Sequence, residues 1–182
     1  MNPVPRGSAR PHGTLSTYRG LATAEMKAFQ DRYPDEFAHC FGCGRLNAEG
    51  YHLRSYWDGE GTVARFVPRP YHTAVPGFVN GGLLASLVDC HATGTSAAAA
   101  ARARGVSSEE GPLPRFVTAS LELRFRRPTP LGPELVVRGR ASSVAGRRVV
   151  VDTTISAGEE VTVQGTVVCA ELPATMRLGD RS

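Results

Sequence analysis

The run Gly81-Gly82-Leu83-Leu84-Ala85-Ser86-Leu87-Val88-Asp89-Cys90-His91, continued by the alanines at 97–101, decides how this chain folds. From Gly81 to about Arg104 the spacing predicts one long helix. Its apolar surface, Leu83, Leu84, Leu87 and Val88 followed by Ala97 to Ala101, is wide rather than a narrow stripe, as for a helix covered on most sides. The small side chains of its second half let other elements pack closely, which suits the centre of a domain. Val79-Asn80 leads into two glycines at its mouth. A helix N-terminus carries unpaired backbone N–H groups and the positive end of the macrodipole, so adjacent glycines there admit a carbonyl oxygen or an anion. Asp89 follows Gly81 by just over two turns. A charge left buried and unpaired costs on the order of 3 to 5 kcal/mol, so this carboxylate must face something polar.

Beyond the loop at 105–114, Val117, Ala119, Leu121, Leu123 and Phe125 alternate with Thr118, Ser120, Glu122, Arg124 and Arg126, the period of a half-buried strand. Residues 134–144, 147–157 and 160–172 continue in the same way. Ala145-Gly146 and Gly158 join them and are short enough for antiparallel hairpins. Ahead of the helix, residues 51–57 and 62–67 read as two strands about Asp58-Gly59-Glu60-Gly61. Earlier still, Thr23 caps a short helix that ends near Tyr33-Pro34, and 40–50 is a turn-rich loop. Residues 1–20, aperiodic and rich in proline, glycine and arginine, read as a disordered arm. Two strands, a buried helix and four strands argue for a single α+β domain over 21–178, an antiparallel sheet against one long helix. A doubly wound parallel fold does not fit that order.

Composition narrows the function. At 182 residues, 41% hydrophobic and 21% charged, the chain can bury a full core without covalent staples. The net charge of +4 comes almost wholly from arginine, whose guanidinium suits phosphate-bearing ligands. No basic stretch is interleaved with aromatics, so nucleic acid is not an expected partner. Neither a secretory pattern nor a membrane-crossing apolar run is seen, so no membrane partner is expected and the expected location is cytoplasmic. Cys40-Phe41-Gly42-Cys43 has the spacing of a zinc knuckle, with His39 and His52 nearby. No second ligand pair follows, so the segment reads as a reduced, glycine-rich turn and no metal is expected. Cys90 and Cys169 lie in apolar patterns, where free cysteine behaves as a small hydrophobe.

Three stretches together resemble the hotdog-fold thioesterases, specifically the PaaI-like acyl-CoA thioesterase group. They are Cys40-Phe41-Gly42-Cys43-Gly44 with Asn47 and Gly50, then Pro76-Gly77-Phe78-Val79-Asn80-Gly81-Gly82 leading to Asp89, and Phe125-Arg126-Arg127-Pro128-Thr129-Pro130-Leu131-Gly132. The resemblance spans about 38–170, and its middle stretch is the most specific. It implies an antiparallel sheet wrapped around the central helix, a homodimer with one continuous sheet, and active sites at the dimer interface; whether dimers pair further into a homotetramer is left open by the sequence. It also implies that Gly81 and Gly82 present N–H groups to a thioester carbonyl, while Asp89 arrives from the opposite subunit as general base or nucleophile. Thr118 matches a position where the family often has Ser or Thr orienting the attacking water. Acyl-CoA is the implied substrate, and because CoA is part of it no separate cofactor is expected.

Arg124, Arg126 and Arg127, at the end of the strand implied to lead to the site mouth, are candidates for the CoA phosphates. A solvated strand edge accounts for them equally well. Asn80 stands where the family usually has histidine, and Ala74 where it often has a polar residue. Asparagine can donate a hydrogen bond but cannot act as acid or base. His72 and His91 are the nearby histidines, and each reads as structural. Two other functions fit the same pattern: a non-catalytic hotdog module that binds acyl-CoA, and a hotdog dehydratase or hydratase relying on a histidine.

Overall fold

The computed structural model describes residues 27–106, 111–173 and 176, so the arm at 1–20 and the residues proposed to start the first short helix lie outside it. Six strands surround one helix: β1 Ser55–Asp58, β2 Gly61–Phe66, α1 Gly81–Ala103, β3 Phe116–Phe125, β4 Leu135–Ala145, β5 Arg148–Ala157 and β6 Glu160–Glu171. They form one sheet in the order β1-β2-β4-β5-β6-β3, with every neighbouring pair antiparallel. This is the expected α+β architecture. α1 packs on β3, β4, β5 and β6 and also touches β1 and β2, so the sheet curls round it.

The composition of α1 makes that burial possible. Leu83, Leu84, Leu87 and Val88 are buried in its first half, and every residue from Cys90 to Ala101 is buried as well. Full burial of a leucine or valine side chain contributes about 1.5 to 3 kcal/mol, and Leu87 and Val88 are completely enclosed. From the sheet, Phe116, Leu135, Val137, Val149, Val151, Ile155, Val163 and Val167 complete the core. Among the described residues, no helix is long and apolar enough to cross a membrane.

Three expectations are corrected. First, the strand expected over 51–57 begins only at Ser55. Tyr51 and Leu53 instead donate their N–H groups to the carbonyls of Phe41 and Gly42, and His52 between them takes a positive φ of 53°. Second, among the described residues before Tyr33 the chain forms a short 3-10 turn, Phe29–Arg32, whose N-cap, Ala28, offers no side-chain cap. It stops before Pro34, as expected. Third, β3 does not keep a single alternation. Its register against β6 shifts between Thr118 and Ser120, so one extra residue reverses the phase of the strand. Phe116 and Thr118 meet the core and helix before the shift, and Leu123 and Phe125 meet them after it. Thr118 therefore faces α1, not the solvent side with Glu122 and Arg124.

Candidate active site

Successive residues of a helix point about 100° apart, and on α1 three in a row face three different surroundings. Asp89 is turned to β3, at one end of the sheet, where Thr118 Oγ1 donates a hydrogen bond to its Oδ1. The carboxylate is half-buried, so it is held on one side and open on the other. Cys90 turns to the loop at 40–44, and His91 to β1 and β2.

The mouth of α1 is built around Asn80. Its backbone N–H donates to the His72 carbonyl at 2.9 Å, and its Oδ1 accepts the Leu83 N–H at 3.1 Å, making it the helix N-cap. The Asn80 carbonyl takes the Leu84 N–H at 3.2 Å. Gly81 and Gly82 are the first two helical residues, so their N–H groups have no partner inside the helix. The Phe125 ring flanks Gly81, with its nearest atom 3.6 Å from where a Cβ would sit. Gly81 and Asp89 are separated by eight residues of helix, or about 12 Å along its axis. The N–H groups and the carboxylate of one chain therefore cannot touch the same carbonyl group.

The three arginines are exposed. Arg124 and Arg126 line a polar groove on the outer side of the sheet with Glu122, Asp152, Gln164 and Thr166. Arg124 pairs with Glu122 at 3.1 Å, Arg126 donates to Gln164 Oε1 at 2.8 Å, and Arg127 pairs with Glu160 at 2.8 Å. Exposed pairs of this kind hold with only about 0 to 1 kcal/mol, so an anionic ligand could displace them.

Both nearby histidines are packed into the structure. His72 accepts the Arg69 N–H at Nδ1 and its ring stacks on Phe66 with centroids 5.5 Å apart. His91 is fully enclosed: Ser55 Oγ lies 2.9 Å from Nδ1 and Thr62 Oγ1 lies 3.1 Å from Nε2. Burial lowers its pKa from 6.5 to about 4, so the ring is neutral. Sequence reasoning missed two features. The Cys90 sulfur is not isolated in an apolar pattern but lies 3.7 Å from that of Cys40. Asn80 serves as a cap, a role that its place directly before an apolar helical run signals.

An antiparallel sheet curled around one long helix is the hotdog architecture. Residues 76–164 match the model of the thioesterase superfamily. A thioesterase superfamily protein of known structure from Shewanella loihica is 46% identical, with a TM-score of 0.58 over 70% of this chain and 96% of that one. The chain belongs to the thioesterase superfamily. The acyl-coenzyme A thioesterase THEM4 of Bos taurus is 27% identical over 82% of this chain and 61% of its own length. Its Mus musculus counterpart is 32% identical over 56% of this chain and 38% of its own. The chain thus spans between about two fifths and three fifths of the length of these two relatives. The E. coli PaaI structure, 14% identical with a TM-score of 0.55 over 68% of this chain and 81% of that one, shares the fold.

Proposed function

We propose that this protein hydrolyses acyl-CoA thioesters to a free acid and CoA, in a homodimer whose two chains complete each site. The observation that carries this reading is the placement of Asp89: half-buried, fixed by Thr118, and beside an edge strand with no neighbour on its outer side among the described residues. β3 is ten residues long and exposes Leu121 and Phe125 at that edge. A second copy pairing there would continue the sheet and cover an aggregation-prone edge. It would also bring its own helix mouth towards Asp89, which the 12 Å separation within one chain requires.

In this arrangement the Gly81 and Gly82 N–H groups of one chain bind the thioester oxygen, where negative charge develops on attack. Asp89 of the other chain, acting as general base, takes a proton from the attacking water. Thr118 is a positioning residue that fixes the carboxylate. The tetrahedral intermediate then collapses, the carbon–sulfur bond breaks, and the sulfur leaves as thiolate. A thiol has a pKa of about 8.5, so its thiolate departs without a strong acid to protonate it. That is why Asn80 in place of histidine does not disable the chemistry.

Arg124, Arg126 and Arg127 are assigned to the CoA phosphates. Replacing Arg124 by Ala then raises KM for acyl-CoA and leaves KM for the matching acyl-pantetheine thioester unchanged; an equal rise for both would refute the assignment. The reaction itself is tested by thiol release from short, long, branched and aromatic acyl-CoAs. Tight binding without turnover by a folded dimer would favour the non-catalytic module instead. A dehydratase is disfavoured because His91 has both ring nitrogens occupied in the core and His72 is held in its loop.

A further inference from the structure

The proposed chemistry makes no use of three cysteines that the fold brings together. The sulfurs of Cys40, Cys43 and Cys90 all lie within 4.8 Å of one another, and those of Cys40 and Cys90 are 3.7 Å apart. Thiolates at about 2.3 Å from a tetrahedral zinc ion are roughly 3.8 Å from each other, so the cluster is near ligand spacing. We propose that Cys40, Cys43 and Cys90 bind one zinc ion, clamping the 40–44 loop to the middle of α1, with a fourth position for water or an added ligand.

Several independent features of the loop favour a bound cation over three packed thiols. The N–H groups of Gly42 and Cys43 donate to the Cys40 sulfur, and the Gly44 N–H donates to the Cys40 carbonyl at 2.7 Å. These bonds hold the first sulfur of a Cys-x-x-Cys turn in place. Gly42 is required there: a Cβ on it would lie 2.2 Å from the Cys90 sulfur, so any other residue would force the loop off the helix. The Arg115 side chain lies close enough to Cys40 and Cys43 for their charges to interact. Three thiolates around a divalent ion carry one net negative charge, which that guanidinium offsets. The Tyr33 hydroxyl, on a residue almost wholly buried, and Arg115 Nη1 are buried without a hydrogen-bond partner. The Arg115 guanidinium carbon sits 4.7 Å from the centre of the Tyr33 ring. Such orphaned donors suit an added anionic group at this place. Cys40 is only half-buried, which leaves a route for the metal to enter.

The site sits directly after Asp89 in sequence and joins the segment before β1 to α1, so it serves to hold the helix that carries the carboxylate. It stands or falls independently of the thioesterase reading, because its measurements do not involve turnover. The test is metal analysis of the full chain, purified under reducing conditions, loaded with zinc and dialysed. About one zinc per chain is expected, and cobalt substitution should give the intense near-ultraviolet sulfur-to-cobalt charge-transfer band of a thiolate site. Cys90→Ser should weaken zinc binding by more than the roughly hundredfold ceiling of outer-shell changes. Cys169→Ser, which alters a buried thiol on β6, should leave it intact. Should Cys90→Ser fail to fold, protection of three thiols from alkylation by zinc in the unaltered chain, read by mass spectrometry, replaces it. Less than a tenth of an equivalent of zinc, undiminished binding by Cys90→Ser, alkylation unaffected by zinc, or a Cys40–Cys90 disulfide in the reduced preparation would each overturn the proposal.

Discussion

Asp89 and His91 are two residues apart on one buried helix, yet the fold treats them oppositely. His91 turns to β1 and β2 and ends in a closed network. Ser55 and Thr62 hold its two nitrogens, Thr62 also contacts Thr95 at 2.6 Å and donates to the Gly139 carbonyl at 3.2 Å, and Gln30 braces Ser55 at 3.0 Å. Gly139 lets β4 press against the ring, since a Cβ there would lie 2.9 Å from Nε2. Asp89 turns to the other end of the sheet, where Thr118 donates a hydrogen bond to it, and its open side faces an edge that is unpaired among the described residues. A titratable group with every hydrogen-bonding atom engaged inside the core is architecture. One held on a single side at an incomplete surface is available for chemistry.

Substituting Asp89→Asn should break this contrast most sharply. The amide keeps the shape and loses the base, so kcat should fall about a thousandfold, within the range for removing a general base, while acyl-CoA affinity and thermal stability stay close to those of the unaltered protein. Steady-state kinetics and binding measured on the same preparation decide it. A loss of less than tenfold would remove Asp89 from the reaction. Single-turnover hydrolysis in heavy-oxygen water then separates base from nucleophile: a general base puts the label in the released acid, whereas label in the Asp89 carboxylate with unlabelled product requires a covalent intermediate.

The His91 side of the comparison is tested by pH. Its folded pKa of about 4 lies below the ordinary 6.5, so the fold favours the neutral ring. Above pH 6.5 neither folded nor unfolded chain is protonated there, and the stabilisation is complete. As pH falls from 6.5 towards 4, the unfolded chain takes up a proton that the fold refuses, and about 3 kcal/mol is lost. Urea denaturation across that window should show the loss, and His91→Gln should abolish this component while lowering stability at neutral pH. If both proteins have the same pH slope, the ring is not held neutral.

Thr118→Val keeps the volume and removes the hydroxyl that fixes Asp89. We expect kcat to fall about tenfold with KM unchanged, a step corresponding to roughly 1.4 kcal/mol, and Thr118→Ser to restore most of the rate. Equal losses in the Ser and Val variants would mean the hydroxyl is not what matters.

How much of this was legible in the sequence depends on the range of the interaction. α1 and the hairpins β4 to β6 follow from local periods and glycine turns, and their ends fall within a few residues of the reading. The phase of β3 is hidden in the sequence, because a one-residue bulge at 119 leaves no mark on an apolar alternation that continues on both sides. Thr118 was linked to the site through the family resemblance, and the bulge is what turns it towards the helix. The partner of the Cys40-x-x-Cys43 pair could not be seen by spacing, because Cys90 is brought in from α1 by the tertiary fold. The His91 network gathers residues from 30 to 139, and single hydroxyls on apolar strands do not announce such a convergence.

The smallest predicted effect bears on the helix mouth, where one residue has a structural duty beside a chemical site. Asn80→Ala removes the side-chain cap on the Leu83 N–H and should cost about 1 kcal/mol, read as a small drop in melting temperature. Asn80→Asp separates the two duties. Aspartate caps as well as asparagine and is favoured by the helix dipole, so stability should be retained. Its negative charge, however, lies beside the N–H groups of Gly81 and Gly82, where an oxyanion must form. A stable Asn80→Asp enzyme with reduced kcat would place the developing charge at the helix mouth. If that variant turns over at the full rate, the mouth of α1 is only the start of a helix, and the donors that oppose Asp89 must be sought elsewhere.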